Sequence, residues 1–311
     1  MHFQNVENIM KKVFLAVLSV LLCFTATIST VGCAEDDVIY LDTSDSASAE
    51  SEAPATESEA EKETEKKTEK KTEKKTDKPV DVRLKFASYN MKHAEDAGYD
   101  YSKIAKNITA NGIDIVGFQE VDNNTKRSSK ANQIKSIADK AGYKYYKFFK
   151  AISHDGGEYG LGIVSRYPIE STELIKLSSG SAEQRILARA VINVSGVKVN
   201  FFVTHLSYDG EGGGSSRAKQ FGEIASVLSR HDNFVLSGDF NTRNLGEYEV
   251  IKGSALVNTK ADPQVTYPDG NSPLDNLVYS TAAWKFEKIN VVEKSYSDHY
   301  MIYAQATFIN K

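Results

Sequence analysis

Six short runs of the sequence combine carboxylate, amide and imidazole side chains, and each run ends or borders an apolar stretch. In chain order they are Tyr89-Asn90, Gln119-Glu120, Thr204-His205, Asp239-Phe240-Asn241, Leu274-Asp275 and Ser297-Asp298-His299. Carboxylate and amide oxygens are hard ligands suited to Mg²⁺. A histidine near a carboxylate can hold or transfer a proton. Each residue alone is more often a turn or cap residue, but their common setting indicates one shared site.

The elements that must position these runs are short apolar strands and amphipathic helices. The patterns predict strands at 84–90, 113–119, 160–165, 188–194, 198–204, 233–237, 274–279 and 301–308, and helices at 101–111, 132–141 and 216–230. Some strands come in adjacent pairs, such as 186–194 and 197–204 across the Ser195-Gly196 turn. This mixture favours an α+β fold over a purely parallel doubly wound sheet. We expect a four-layer α/β sandwich, in which two mixed β-sheets pack face to face with helices outside.

Composition divides the chain into an acidic N-terminal part and a folded domain at 82–310. Residues 82–311 contain 28 Lys+Arg and 25 Asp+Glu, a net of +3, which leaves 10 basic and 17 acidic residues, a net of −7, before Val82. Residues 34–81 have almost no large apolar side chains and end in a Thr-Glu-Lys-Lys repeat, so we expect a disordered linker. The mildly basic domain is compatible with a phosphate-bearing substrate, including nucleic acid, but its charge does not specify one.

The first 33 residues have the layout of a secretory signal peptide. Met10, the expected true start, opens a short basic region, and the apolar run that follows is shorter than the roughly 20 residues of a membrane span. Thr30-Val31-Gly32-Cys33 resembles a bacterial lipobox, in which the cysteine is lipidated. An ordinary signal peptide is the alternative. We therefore expect a secreted or membrane-anchored bacterial lipoprotein, attached through Cys33, and a monomer.

The ordered motifs resemble those of the endonuclease/exonuclease/phosphatase superfamily. The resemblance covers essentially all of 82–310, and the chain is similar to a secreted bacterial member. Its motifs are Ala87–Asn90, Asp114–Val121, Tyr159–Pro168, Thr204–Leu206, Gly238–Asn241 and Ser297–His299. Each is a short string, but six in the right order are specific. The resemblance implies a Mg²⁺-dependent phosphoesterase, with Mn²⁺ or Ca²⁺ as alternatives, that uses in-line attack of water and no covalent intermediate.

The resemblance also assigns roles to individual residues. It implies metal ligation by the amide oxygen of Asn90 and by the carboxylates of Glu120 and Asp298. It implies catalytic roles for His205, Asp239, Asn241, Asp275 and His299. Asp275 would orient His299, and either Asp239 or His299 would be the base. Asp275 lies in Pro273–Leu277, which departs from the family pattern because an Arg and a Tyr are missing.

Three further residues match family positions near the substrate. Tyr159 and Arg185 would touch the phosphate, with Arg189 able to exchange roles with Arg185 if the strand register differs. Glu158 would pair with His205. The leading hypothesis is a phosphodiesterase or nuclease that acts outside the cell. The alternatives are a sphingomyelin or phospholipid phosphodiesterase, a sugar or inositol phosphate phosphatase, and a non-catalytic surface-binding module.

Overall fold

The computed structural model describes residues 82–208, 210 and 213–309. The predicted signal peptide and linker, with Met10 and Cys33, lie outside these described residues. Within them, no helix has the length and apolar character needed to cross a membrane.

The described residues form thirteen strands, three α-helices and two short 3₁₀ helices. The strands are β1 Arg83–Asn90, β2 Ile115–Asn123, β3 Tyr145–His154, β4 Gly157–Ser165, β5 Ile169–Lys176, β6 Ile186–Val194, β7 Val197–His205, β8 Phe234–Asp239, β9 Ser254–Leu256, β10 Asp275–Ser280, β11 Trp284–Phe286, β12 Asn290–Val292 and β13 Met301–Phe308. The helices are α1 Tyr101–Ala110, α2 Gln133–Ala141 and α3 Gly213–Leu228, with 3₁₀ helices at Lys92–Ala94 and Glu247–Val250.

The strands form two mixed sheets, as predicted. Sheet A has the order β11-β13-β1-β2-β4-β3, and β12 also pairs with β13. Sheet B has the order β5-β6-β7-β8-β10-β9. Each sheet contains one parallel pair, β1–β2 in sheet A and β7–β8 in sheet B, while the other pairs are antiparallel. The two parallel pairs turn out to carry the site.

Three apolar clusters fill the spaces between four layers. The central cluster joins the sheets, where the rings of Phe86 and Phe201 stack with centroids 5.9 Å apart. A second cluster lies between sheet A and the helices α1 and α2, and a third lies between sheet B and α3. The sheets approach closely at Gly117, where an added Cβ would lie 2.0 Å from Ser237 Oγ. The predicted sandwich with helices outside is confirmed.

The helices begin where the sequence places polar caps. The side chain of Asp100 accepts from Ser102 N at the start of α1, and that of Asn132 accepts from Lys135 N at the start of α2. Such caps satisfy backbone donors that have no partner inside the helix. Gly142 ends α2 with φ of 73°, a conformation that glycine adopts without strain.

Two features of the sheets differ from the prediction. The second strand was predicted at 113–119, but β2 continues to Asn123 through a register shift between Phe118 and Val121. The short strands β9, β11 and β12 were not predicted, and neither were the longer strands β3 and β5. Both are edge strands, and much of their surface faces water, so they lack the apolar runs that identify buried strands.

Candidate active site

The motif residues meet at one edge of the two-sheet stack. Asn90 ends β1 and Glu120 lies near the end of β2, at the carboxyl end of the parallel pair in sheet A. His205 ends β7 and Asp239 ends β8, at the carboxyl end of the parallel pair in sheet B. Asp275 begins β10 directly opposite Asp239 because these two strands are antiparallel. Asn90 Nδ2 donates to Asp239 Oδ2 at 3.0 Å, which joins the two halves of the site.

Two site residues have left-handed backbone conformations. Glu120 has φ of 56° and Asn241 has φ of 52°. Glu120 lies in the β-bulge of β2, between Phe118 and Val121. A bulge inserts one extra residue and re-aims a side chain. A left-handed conformation costs a non-glycine residue about 1–3 kcal/mol, so the surrounding structure must hold these two residues in place.

His299 lies between two buried carboxylates. Its Nδ1 is 2.8 Å from Asp275 Oδ2, and its Nε2 is 3.6 Å from Asp239 Oδ2. Burial opposes the charge on the ring, but the two carboxylates outweigh burial and raise the pKa of His299 to about 10. The ring is therefore an imidazolium that donates its Nδ1–H to Asp275. The ring of Tyr267 packs against it, with centroids 4.9 Å apart.

Asp239 is the carboxylate best suited to accept a proton. Burial raises the pKa of Asp239 to about 6, the charge of His299 opposes this shift, and Asp275 adds to it. Asp239 Oδ1 accepts from Asn241 N at 2.9 Å. A carboxylate with a raised pKa is a stronger base than a free aspartate at neutral pH. His299 already holds a proton, so Asp239 is the group that can accept a proton and His299 is a donor.

His205 lies between two hydrogen-bond donors. Its Nδ1 is 3.1 Å from Arg185 Nη1, and its Nε2 is 3.0 Å from Asn241 Nδ2. Burial lowers the pKa of His205 well below its ordinary value, and Arg185 adds to the shift, so the ring is neutral. Because a guanidinium only donates, Nδ1 accepts and Nε2 carries the hydrogen. The Asn241 amide is fixed by donation to Leu206 O at 2.9 Å, so two donors face each other, and the carboxylate oxygen Asp239 Oδ2 lies 3.6 Å from His205 Nε2.

The prediction that Glu158 pairs with His205 is wrong. Glu158 Oε2 accepts from Asn123 Nδ2 at 2.9 Å, and its Oε1 lies 3.2 Å from Lys150 Nζ. Consecutive residues of a strand point to opposite faces. Since Tyr159 faces the cleft, the neighbouring Glu158 faces away from it.

The two arginines that the sequence left interchangeable are clearly separated. Arg185 is buried, lines the cleft and pairs with Glu183 Oε1 at 2.8 Å. Arg189 donates from Nε to Asn200 Oδ1 at 3.0 Å and pairs with Glu173 at 3.3 Å. Arg185 is therefore the arginine in position to contact a bound phosphate.

Tyr159 lines the cleft and is held by a charged pair. Its ring lies beneath the Arg127 guanidinium, whose carbon is 5.5 Å from the ring centroid. Arg127 in turn donates from Nε and Nη2 to both oxygens of Asp122, each at 2.7 Å. Burial, followed by the charge of Glu120, raises the pKa of Tyr159 well above its ordinary value. The phenol hydroxyl is therefore a hydrogen-bond donor at any working pH.

The cleft has a volume of about 460 Å³. The predicted residues that line it are Glu120, Tyr159, Arg185, His205, Asp239, Asn241, Asp298 and His299. Asn90 and Asp275 lie behind this lining and contact it. Among the described residues, four further lining residues with polar side chains were not predicted: Glu183, Tyr208, Arg243 and Tyr267. Arg243 follows the Gly238–Asn241 motif by two residues, which was the available signal, whereas the tyrosines offered none.

Two groups of side chains could hold a metal ion. Asp239, Asp275 and His299 each offer one ligand atom, and these atoms lie within 4.8 Å of one another. The hydrogen bond between His299 and Asp275 occupies that group, so a cation there would have to displace the ring proton. The other group is the predicted set of Asn90, Glu120 and Asp298.

The predicted group carries the charge that a divalent cation requires. Burial raises the pKa of Glu120, the Asn90 hydrogen bond opposes this, and the like charges of Asp239 and Asp298 add to it. Asn90, however, directs Nδ2 at Glu120 Oε1, at 3.0 Å, and its Oδ1 accepts from Lys92 N at 3.1 Å. For the amide oxygen to face a metal, as predicted, the amide group must turn over. The group therefore suits Mg²⁺ in its oxygen donors but needs this one rearrangement.

A two-sheet sandwich with acidic, histidine and arginine side chains at one edge defines a class of phosphate-ester hydrolases. A model of the Endonuclease/Exonuclease/phosphatase family matches residues 87–299. The chain therefore belongs to this family, whose hydrolases act on phosphate esters as nucleases and phosphatases. The resemblance found in the motifs is confirmed. Comparison with curated proteins finds no match.

Solved structures share the fold at low sequence identity. An endonuclease/exonuclease/phosphatase from Beutenbergia cavernae DSM 12333 is 18% identical, with a TM-score of 0.59 over 73% of this chain and 72% of that one. TDP2 of D. rerio, complexed with single strand DNA product, is 16% identical, with a TM-score of 0.59 over 73% and 99%. A mannosyl-6-phosphatase of Bacteroides thetaiotaomicron VPI-5482 is 18% identical, with a TM-score of 0.54 over 72% and 99%. Similarity at this level establishes the fold alone.

Proposed function

We propose that this protein is a metal-dependent phosphodiesterase of the nuclease type, which cleaves its substrate by in-line attack of water. The observation that carries the proposal is the convergence of donors in the cleft. His205 Nε2–H and Asn241 Nδ2–H approach each other, and Asp239 Oδ2, at 3.6 Å from Nε2, is beyond hydrogen-bond distance. Arg185 lies on the Nδ1 side of the same ring. The several oxygens of an anionic phosphate group can together accept from all three side chains.

Each polar side chain then has one part in the reaction. Asp239 accepts the proton of the attacking water because its raised pKa keeps it basic enough near neutral pH. The His299 imidazolium, held by Asp275, stabilises negative charge on the phosphate oxygens. Asn241, His205 and Arg185 donate to the same group. Tyr159 closes the cleft with a hydroxyl that remains protonated.

Glu120, Asp298 and Asn90 would hold the metal ion, with Mg²⁺ as the first candidate. Enzymes of this family use divalent metals. When bound, Mg²⁺ would neutralise charge on the phosphate and on the leaving oxygen. Before this can occur, the Asn90 amide must turn over, which breaks its hydrogen bonds to Glu120 and Asp239.

The charge of the cleft favours a diester over a monoester. Among the described residues, four carboxylates line it, from Glu120, Glu183, Asp239 and Asp298, against two arginines and one imidazolium. A phosphodiester carries one negative charge, whereas a phosphomonoester carries nearly two at neutral pH. The smaller charge is repelled less by the carboxylates.

A substrate panel tests the proposal. The purified full chain with Mg²⁺ is given plasmid DNA, bis-p-nitrophenyl phosphate, p-nitrophenyl phosphate and sphingomyelin. We expect plasmid DNA and bis-p-nitrophenyl phosphate, the two diesters without a lipid, to be cleaved fastest. Preference for sphingomyelin or for the monoester would replace the proposed substrate class, and cleavage of none would contradict catalysis. Full activity after thorough chelation by EDTA would contradict the metal requirement.

We also propose that the enzyme acts at the surface of a bacterial cell, tethered as a monomer through lipidated Cys33. Support comes from the sequence alone, in the basic and apolar leader and the Thr30–Cys33 motif. We expect the full chain to take up radiolabelled palmitate and to fractionate with membranes. Cys33→Ser should be unlabelled and soluble. Equal labelling of both chains would contradict the lipid assignment, and light scattering of the solubilised protein tests the monomer.

A further inference from the structure

Among the described residues, Arg243 is an arginine of the cleft without a carboxylate partner. The other lining arginine, Arg185, pairs with Glu183 at 2.8 Å. Arg243 Nε donates to Ser272 Oγ at 2.6 Å. In the part of the chain that the structure describes, neither Nη1 nor Nη2 of Arg243 has an acceptor, and no carboxylate lies within salt-bridge distance. Arg243 therefore forms no direct ion pair with the described residues at the wall of the site.

A tight turn fixes the position of this guanidinium. Ser272 is fully buried, and its Oγ donates to Gly270 O at 2.6 Å while it accepts from Arg243. An isolated bridge between Tyr267 and Ser272 closes the turn. An added Cβ on Gly270 would lie 2.7 Å from the Tyr267 ring and 3.1 Å from Arg243 Nη2. The turn thus leaves room for the guanidinium and holds it by Nε, while its two terminal nitrogens stay unbonded.

The location of Arg243 separates it from the donors assigned to the scissile phosphate. Those donors come from Arg185, His205 and Asn241, which contact one another directly. Arg243 contacts the 267–272 turn instead, and Tyr267 of that turn covers the ring of His299. Arg243 therefore lies at the part of the cleft wall that the 267–272 turn supports.

We propose that Arg243 binds a second anionic group of the substrate, a phosphate next to the scissile one, and so determines specificity. This inference rests on the proposed function. Two parallel N–H groups of a guanidinium match two oxygens of a phosphate, and the fixed Nε reduces the entropy lost on binding. The second phosphate can come from a polynucleotide chain or from a polyphosphorylated sugar.

Paired substrates with the same scissile bond test the proposal. The dinucleotide TpT has one phosphodiester, and pTpT adds a terminal phosphate. We expect the protein to prefer pTpT by about 10-fold in kcat/KM, the scale of one charge-assisted contact. Arg243→Gln should lose this preference and cleave TpT as the parent does. Arg230→Gln, which changes an exposed arginine outside the cleft, is the matched control and should retain the preference.

Equal losses on TpT and pTpT would overturn the proposal, because Arg243 would then act on the scissile phosphate itself. If the parent protein did not prefer pTpT, a polynucleotide would be excluded as the source of the second phosphate. Ser272→Ala removes the hydrogen bond that fixes Nε and should reduce the preference partly, through KM and not through kcat.

Calorimetric binding gives a readout that does not depend on turnover. We expect thymidine 3′,5′-bisphosphate to bind about 10-fold more tightly than thymidine 5′-monophosphate, with the difference lost in Arg243→Gln. Glucose 1,6-bisphosphate against glucose 6-phosphate is the second arm, and the pair with the larger difference identifies the source of the second phosphate. Equal binding within both pairs overturns the inference. Discrimination without hydrolysis of any ester contradicts the proposed function alone.

Discussion

The two sheets contribute to the site in the same way, but the two halves of the site differ in burial, hydrogen bonding and charge. Each supplies residues from the carboxyl end of its one parallel pair, Asn90 and Glu120 from sheet A and His205 and Asp239 from sheet B. The sheet B half is buried, and its histidine, His205, is hydrogen-bonded. In the sheet A half, Glu120 is only partly buried, lies in a bulge and is repelled by two other carboxylates. One half is preorganised for proton and phosphate contacts, and the other requires a cation to balance its charge.

The largest effect should come from the base of the sheet B half. Asp239→Asn keeps the shape and the contact with Asn90 but removes the group that accepts a proton. We expect kcat to fall by about 10³-fold, within the usual range for general acid–base catalysis. The Mg²⁺ concentration for half-maximal activation should change little. Retention of more than a tenth of the parent kcat would show that Asp239 is not the base.

Asp275→Asn tests whether catalysis depends on the orientation of His299, which Asp275 of sheet B holds by a hydrogen bond. The substitution weakens the hydrogen bond to His299 Nδ1 and removes the charge that keeps the ring protonated. We expect kcat to fall by about 10–100-fold, as is typical for partners that orient a functional histidine. NMR titration of the ring should show a pKa below the parent value of about 10. An unchanged ring pKa would show that Asp275 does not keep His299 protonated.

Glu120→Gln should act on the metal and not on the chemical step. The amide keeps an oxygen but loses the charge that attracts a divalent cation. We expect the Mg²⁺ concentration for half-maximal activation to rise by about 10–100-fold, with most of kcat recovered at saturating Mg²⁺. If excess Mg²⁺ restores nothing, the distinction between the two halves fails.

The pH dependence follows from the raised pKa values of Asp239 and His299. Asp239 must be ionised to accept a proton, so activity should fall below its pKa of about 6, roughly tenfold per pH unit. His299 must stay protonated, so activity should fall again above its pKa of about 10. A bound cation adds positive charge and can only move the acid limb lower. A limb near pH 6 that persists in Asp239→Asn would belong to another group.

The sequence predicted the sheet B half better than the sheet A half. His205, Asp239 and Asn241 end or follow strands with continuous apolar runs, and fully buried strands leave a clear pattern. Glu120 was expected after a strand and instead lies in a bulge inside one, because periodicity does not reveal an inserted residue. The orientation of the Asn90 amide depends on two carboxylates brought together from different sheets, which no local pattern contains.

Loops and edge strands account for the remaining differences. Glu158 was assigned to His205 by position in a motif, but strand alternation turns it away from the cleft. The carboxylate that pairs with Arg185 is Glu183, which lies in a loop without a hydrophobic pattern. The fold class was accessible because it depends on the number and pairing of buried strands, whereas side-chain partners depend on register.

Glu158→Gln should produce the smallest effect and is the matched control for Glu120→Gln. Both changes remove one carboxylate charge from the chain, but Glu158 contacts Asn123 and Lys150 on the far side of its strand. We expect kcat, KM and the Mg²⁺ requirement to stay within about twofold of the parent, since a partly exposed ion pair contributes about 0–1 kcal/mol. A shift in Mg²⁺ activation as large as that of Glu120→Gln would mean that overall charge, and not the bulge that aims Glu120, attracts the cation.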